Sequence, residues 1–176
     1  MEFNMIIAGF GGQGVLFTGK VAAYCGLLDG LEVSWLPSYG PEMRGGTTNC
    51  SVCFSGQPIG SPLVTRADLL IAMNTPSYEK FLPSVKPGGM AVIDSTLVKS
   101  SKTRDDIKLF TAPSTELSDT EHLEGIANMI LLGKALREAA FASLETAEKA
   151  IAKCVSAQKA HLLEHNIRAV KLGMTL

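Results

Sequence analysis

Apolar and polar positions change rhythm along the chain, and the changes divide it into elements. Phe3-Asn4-Met5-Ile6-Ile7-Ala8 has strand composition and runs into glycines, and a helix is predicted from about Val15 to Leu28, ended by Gly30. Leu31 to Leu36 and Thr47 to Phe54 read as the second and third strands, and the turn Ser55-Gly56-Gln57-Pro58 separates the third from a short segment at Ile59. Asp68 to Met73 reads as a short buried strand. The helix expected over Pro76 to Val85 opens with Thr75 as its cap and proline at its first position, and Pro87-Gly88-Gly89 stops it before the strand Met90 to Ile93. A last strand is expected at Ile107 to Phe110, with Lys99 to Asp106 as the mobile loop.

After Pro113 the pattern turns helical. Ile126, Met129, Ile130, Gly133 and Leu136 recur at three- and four-residue spacing, a second helical pattern covers Leu144 to Cys154, and a third runs from about Ala157 to Val170. Strands that alternate with helices imply a three-layer α/β/α fold, with a mostly parallel sheet covered on both faces and trailing helices packed across it. The length of 176 residues suits one domain, spanning residues 1–176.

Composition removes several functions. Charged residues make up 19 % of the chain and hydrophobic ones 46 %, which suggests that part of the surface meets another protein. The net charge is −1 with no basic block, so nucleic acid is not an expected partner. No apolar run approaches the roughly 18–20 residues needed to span a bilayer, and Met1 to Gly9 reads as a strand, so a cytoplasmic location is expected. Cys25, Cys50, Cys53 and Cys154 are expected as reduced thiols. Cys50 and Cys53 form a C-x-x-C, but three residues apart in a strand they point to opposite faces, which argues against a shared metal or disulfide.

Two stretches carry candidate chemistry. Gly9-Phe10-Gly11-Gly12-Gln13-Gly14 fits G-x-G-x-x-G between a strand and a helix, where Gly11, Gly12, Gln13 and Gly14 could present backbone N–H groups to an anion. A dinucleotide fold would add an acidic residue at the end of the second strand, where Trp35-Leu36-Pro37-Ser38 stands instead, with Glu32 at the wrong end. The alternative is a tight turn without a ligand. Ser38-Tyr39-Gly40-Pro41-Glu42-Met43-Arg44-Gly45-Gly46 combines an aromatic, a carboxylate and an arginine with glycines. There Arg44, beside Gly45 and Gly46, could offer a planar fork to a phosphate or carboxylate, with Tyr39 and Glu42 nearby; the bland alternative is a solvated surface loop. His161-Leu162-Leu163-Glu164-His165 matches the inverted zinc-protease motif H-x-x-E-H, yet no metal-ligand type follows Glu164, so a solvated helix face is expected. No catalytic residue and no metal site is assigned to this chain.

Four separated stretches resemble the gamma subunits of 2-oxoacid:ferredoxin oxidoreductases, the same family as domain III of pyruvate:ferredoxin oxidoreductase. They are Ile7 to Val15, Ser38 to Thr47, Asn128-Met129-Ile130-Leu131-Leu132-Gly133, and Asn166 to Gly173, in the family's order. Tyr39-Gly40-Pro41-Glu42-Met43-Arg44-Gly45-Gly46 is the most specific and is similar to 2-oxoglutarate-type gamma subunits. The resemblance implies an anaerobic-type, hetero-oligomeric enzyme with alpha, beta and in some cases ferredoxin-like delta subunits. It implies that thiamine diphosphate and Mg²⁺ sit between other subunits, that iron–sulfur clusters carry electrons toward ferredoxin, and that coenzyme A accepts the acyl group. This chain would then hold none of these cofactors and would line the active-site or coenzyme A region. The competing expectations are a self-contained Rossmann-type nucleotide-binding oxidoreductase and a scaffold that only completes subunit packing.

Overall fold

The computed structural model describes residues 2–38 and 47–176. Its strands and helices follow as β1 (Glu2–Phe10), α1 (Val15–Leu28), β2 (Glu32–Ser38), β3 (Thr47–Ser55), β4 (Ala67–Ala72), α2 (Thr75–Phe81), β5 (Val85–Asp94), β6 (Lys108–Ala112), α3 (Ser114–Thr120), α4 (Ala127–Ala139), α5 (Leu144–Cys154) and α6 (Leu163–Met174). Six strands form one sheet in the order β2-β3-β1-β4-β5-β6. The pairings β1–β4, β4–β5 and β5–β6 are parallel, while β3 runs antiparallel to both β1 and β2.

The expected α/β/α layering is present, with unequal layers. On one face α1, α4, α5 and α6 cover a core that includes Met5, Ile7, Cys50, Val52, Leu69, Ile71, Met129 and Ile130. On the other, α2 covers Ile6, Ala8, Leu70 and Ala72, with Tyr78 and Leu82 packed between. The strongest packing element is α4, whose residues from Asn128 to Leu136 are all buried, as befits a helix that is apolar on most sides. Each large side chain enclosed there contributes roughly 1.5–3 kcal/mol.

Several boundaries follow the sequence pattern and others move for identifiable reasons. Gly30, at φ 77°, ends α1: its N–H donates to Leu27 O at 3.1 Å and the Leu31 N–H to Gly26 O at 3.0 Å, the paired bonds of a Schellman stop. The cap of α2 is Asn74 and not Thr75, because Asn74 is the extended residue whose side chain accepts from Ser77 N at 2.9 Å. That helix stops at Phe81, where Pro83 lies in a 3-10 turn over Leu82–Ser84, so Pro87-Gly88-Gly89 does not terminate it. These three residues lie inside β5, where Ala67 to Leu69 of β4 is matched by Val85 to Met90 and the register shifts. The third C-terminal helical pattern is a 3-10 segment over Ala157–Leu162, kinked at Lys159, followed by α6.

The segment from Lys99 to Asp106, expected as a mobile loop, is tied down along its length. Ser100 Oγ and Lys102 Nζ donate to Glu79 at 2.7 Å, Tyr78 Oη donates to Lys102 O at 2.9 Å, and Arg104 reaches Leu82 O, Val85 O and Asp106. Lys102 beside Glu79, and Arg104 beside Asp106, hold those carboxyls below the usual range. Hydrogen bonds to unfilled carbonyls fix this strap where composition alone suggested freedom.

Ala140 closes α4 in the left-handed region, at φ 48° and ψ 36°, where an L side chain is disfavoured. Ala140→Gly is expected to stabilise the protein by about 1 kcal/mol, a rise of about 2–4 °C in Tm, measured by thermal melting. A lower Tm would show that the Ala140 methyl contributes more than the strain it costs.

Candidate functional site

The carboxyl ends of the parallel strands meet at one edge of the sheet, the usual place for a ligand in an open α/β fold. There β1 ends at Phe10 and the chain turns through Gly11 to Gly14 into α1. Gly12 and Gly14 stand at φ 90° and 78°, so the turn uses the left-handed freedom that only glycine has without strain.

Gln13 holds this turn in place. Its Oε1 accepts from Phe10 N at 2.6 Å and from Asn74 Nδ2 at 2.9 Å, while its Nε2 donates to Met73 O at 3.2 Å. With these bonds made, Gln13 acts on the path of the backbone at the end of β4 and is not an open ligand contact.

A second brace comes from α4. Asn128 Nδ2 donates to Gly14 O at 3.3 Å and to Thr18 Oγ1 at 3.0 Å, and Thr18 Oγ1 donates to Gly14 O at 3.0 Å. A Cβ on Gly14 would lie 2.5 Å from Asn128 Nδ2, so the helices approach this closely only because residue 14 has no side chain. The third wall is Asp94 at the end of β5, which is buried and accepts from Thr96 N at 2.9 Å, Thr115 N at 3.2 Å and Thr115 Oγ1 at 2.5 Å.

Two cavities flank Asn128. One, of about 250 Å³, is lined by Gly12, Gln13, Asp94, Ser114, Asp119 and Asn128 among others, and none of the described residues lining it is basic. The other, of about 380 Å³, lies beside Gly14 and Phe17 and includes Lys159. By Coulomb's law a negative group is disfavoured between Asp94 and Asp119, whereas the second cavity is lined by both Lys159 and Glu124. Sequence reading singled out neither Asp94, Thr18 nor Asn74, and marked Asn128 only within a family likeness. No local signal could show that Asn128 meets Gly14.

Gly11, Gly12, Gln13 and Gly14 are thus brought together at this edge. Tyr39, Glu42, Arg44, Gly45 and Gly46 lie outside the described residues, but their flanks are fixed: Thr47 pairs with Phe10, the last residue before the turn, and Ser38 pairs with Asn49. The neighbour of β1 on this side is the antiparallel β3 and not a parallel second strand. Glu32 stands at the far end of β2, beside Ser55, so the acidic residue of a dinucleotide site is missing from its place.

The thiols belong to the core. Cys50 faces α1 and contacts Val15 O, whereas Cys53, on the opposite face, contacts Pro62 O, as their spacing in a strand requires. Burial pushes Cys25 and Cys50 up to about 12 and Cys154 to about 11, so at neutral pH these are thiols and poor metal ligands. His161 lies in the 3-10 segment and His165 in α6, both exposed, and the described residues gather no group of three or more His, Cys, Asp or Glu. No described helix is long and apolar enough to cross a membrane.

The sequence is 33 % identical over 183 residues to the 2-oxoglutarate synthase subunit KorC of Methanothermobacter marburgensis, covering 100 % of this chain and 97 % of that one. It is 35 % identical over 172 residues to the ketoisovalerate oxidoreductase subunit VorA of Methanothermobacter thermautotrophicus, with 98 % of this chain covered but only 36 % of VorA, so the chain spans about a third of that relative's length. Its fold matches the keto/oxoacid ferredoxin oxidoreductase gamma subunit of Geobacter sulfurreducens with a TM-score of 0.85 and 26 % identity, covering 98 % of this chain and 96 % of the other. Residues 4–176 match the family described as pyruvate ferredoxin/flavodoxin oxidoreductase. With the family match, the sequence likeness and the fold in agreement over almost its whole length, the chain belongs to the pyruvate ferredoxin/flavodoxin oxidoreductase family.

Proposed function

We propose that this chain is the gamma-type subunit of a thiamine-diphosphate-dependent 2-oxoacid:ferredoxin oxidoreductase of 2-oxoglutarate type, and that Gly11 to Gly14 and the segment 39–46 line its active-site or coenzyme A region. The observation that carries this reading is the likeness to KorC over the whole chain. The site agrees with it, since a glycine turn braced by Gln13 and Asn128 borders a crevice at the carboxyl ends of the strands. The chain would act as one domain, in the cytoplasm.

In this reading a 2-oxoacid is decarboxylated, its acyl group passes to coenzyme A, and two electrons leave through iron–sulfur clusters to ferredoxin. Thiamine diphosphate, held between other subunits, would supply the carbanion chemistry. A ferredoxin-like delta subunit would complete the electron path.

The test is reconstitution. The chain alone should not reduce a viologen dye with any 2-oxoacid, and the complex with its alpha and beta partners should form acyl-coenzyme A. Turnover by the chain alone, flavin absorbance or tight NAD binding would overturn the reading. A finer expectation concerns Gly12, around whose absent Cβ nothing lies within 4 Å. Gly12→Val would fill the crevice and should raise KM for coenzyme A about tenfold, the equivalent of about 1.4 kcal/mol, with less effect on dye-coupled decarboxylation, while Gly12→Ala, which shares the backbone strain at φ 90° without the bulk, should raise it less. Equal loss of both, or loss of assembly, would make the turn purely structural.

A further inference from the structure

The geometry points to a ligand site for a small zwitterion, an α-amino acid with an apolar side chain, at the edge of the sheet opposite the glycine turn. There the amino ends of β1 and β4 meet the carboxyl end of β3. The chain between β3 and β4 packs back on these ends, with Cys53 Sγ donating to Pro62 O at 3.8 Å, and bounds a cavity of about 350 Å³. That volume suits a small metabolite. The cavity shares no described lining residue with the two that flank Asn128.

The groups around the cavity select the ligand. Glu2 and Asn4, two residues apart in β1, share one face of the sheet. The Glu2 carboxylate can only accept, so the Asn4 Nδ2 that donates to it at 2.8 Å leaves the amide carbonyl as what Asn4 has to offer, and no described donor reaches that oxygen. Of the two cations lining the cavity, Lys86 is committed, with Nζ donating to both oxygens of Asp68 at 2.8 and 2.9 Å. Arg66 makes no hydrogen bond or ion pair with a described residue, and Asp106, whose carboxyl feels its charge, is already held by Arg104. Arg66 directly precedes β4, the parallel neighbour of β1, so the strands that bring the cation and the acceptors together run about 5 Å apart. Glu2 disfavours a polyanion and Arg66 a lone cation, whereas a carboxylate and an ammonium on one carbon satisfy both. The carboxylate takes the guanidinium fork, and the ammonium donates to Glu2 and to Asn4 Oδ1. Ile59, Val64 and Leu63 form the apolar wall for the side chain, and Leu63, 62 % exposed, is the most exposed of the large hydrophobic residues described.

The experiment titrates the full chain with L-leucine by calorimetry. Leucine should bind saturably, and two analogues should compete with it at least about tenfold more weakly: the 2-oxoacid of the same carbon skeleton, which lacks the ammonium, and isopentylamine, which lacks the carboxylate. Arg66→Gln should weaken leucine binding at least about tenfold and Glu2→Gln about fivefold. Both residues are exposed, so each variant should keep its Tm within about 2 °C of the unmodified chain. In amide exchange leucine should slow residues 53–66 and leave residues 11–18 unchanged. No saturable binding of leucine, an affinity unchanged in Arg66→Gln, equal competition by the 2-oxoacid, or slowing confined to residues 11–18 would each overturn the proposal.

Discussion

Gly173→Val is expected to cost about 3 kcal/mol or more and to lower Tm by about 6–12 °C. The reason lies where α4 and α6 cross. A Cβ built on Gly173 would collide with the carbonyl of Ile130, and one built on Gly133 would collide with the carbonyl of Val170, so each helix presses its backbone into the gap left by the other's glycine. Backbone atoms cannot rotate away as a flexible side chain can. Relief would require lifting α6, which would take Ala169 and Val170 out of the core they share with Met129 and Ile130. Gly133→Ala should be nearly as costly for the reciprocal reason. Gly60→Ala is the control, since nothing lies within 4 Å of its Cβ position and its φ is ordinary. Denaturant titration gives the free energies, and a loss below about 1 kcal/mol for Gly173→Val would mean that the crossing opens cheaply.

How much of this could be read from the chain depends on whether the determining contacts are local. The limits of α1 were legible because glycines bound it on both sides and the Gly30 stop is a local hydrogen-bond motif. The end of α2 was not, since Pro83 and the pair Gly88-Gly89 compete as breakers and only the β4–β5 register shows that the latter lie within a strand. Strand direction was also hidden. The buried pattern of β3 covers both faces and reads the same whether its neighbours run parallel or antiparallel. The strap from Lys99 to Asp106 has loop composition, and its order comes from Glu79, Tyr78 and Leu82 far back in the sequence.

The same division runs through the candidate site. Gly11 to Gly14 announced itself through spacing between a strand and a helix. What fixes that turn did not, because Gln13 reaches Met73 and Asn74, and Asn128 reaches Gly14 across 114 positions. Spacing also favoured an anion for the whole turn, whereas the fold sets Asp94 and Asp119 beyond Gly12 and both Glu124 and Lys159 near Gly14. Charges contributed by remote elements decide which part of a ligand each side accepts, and no local window contains them.

Arg44→Ala in the assembled complex is expected to lower kcat/KM for acyl-coenzyme A formation about ten- to hundredfold, the loss of one charge-assisted hydrogen bond worth about 1.5–3 kcal/mol, with folding nearly untouched. The segment that carries Arg44 is tethered at Ser38 and Thr47, and Thr47 pairs with the residue that leads into the glycine turn. The crevice beyond that turn supplies carboxylates and, among the described residues lining it, no cation. A charged group of substrate or coenzyme held near this edge would need a positive partner from outside the crevice, and Arg44, followed in the sequence by Gly45 and Gly46, is the residue proposed for that role. Acyl-coenzyme A formation, subunit association and Tm should be scored together. Lost stability or association with unchanged activity per intact complex would sink the functional role and leave Arg44 as an interface residue. Arg44→Lys separates charge from geometry: it keeps the positive charge and loses the planar fork, so partial recovery relative to Arg44→Ala identifies bidentate recognition as the missing part, while full recovery would show that a point charge suffices.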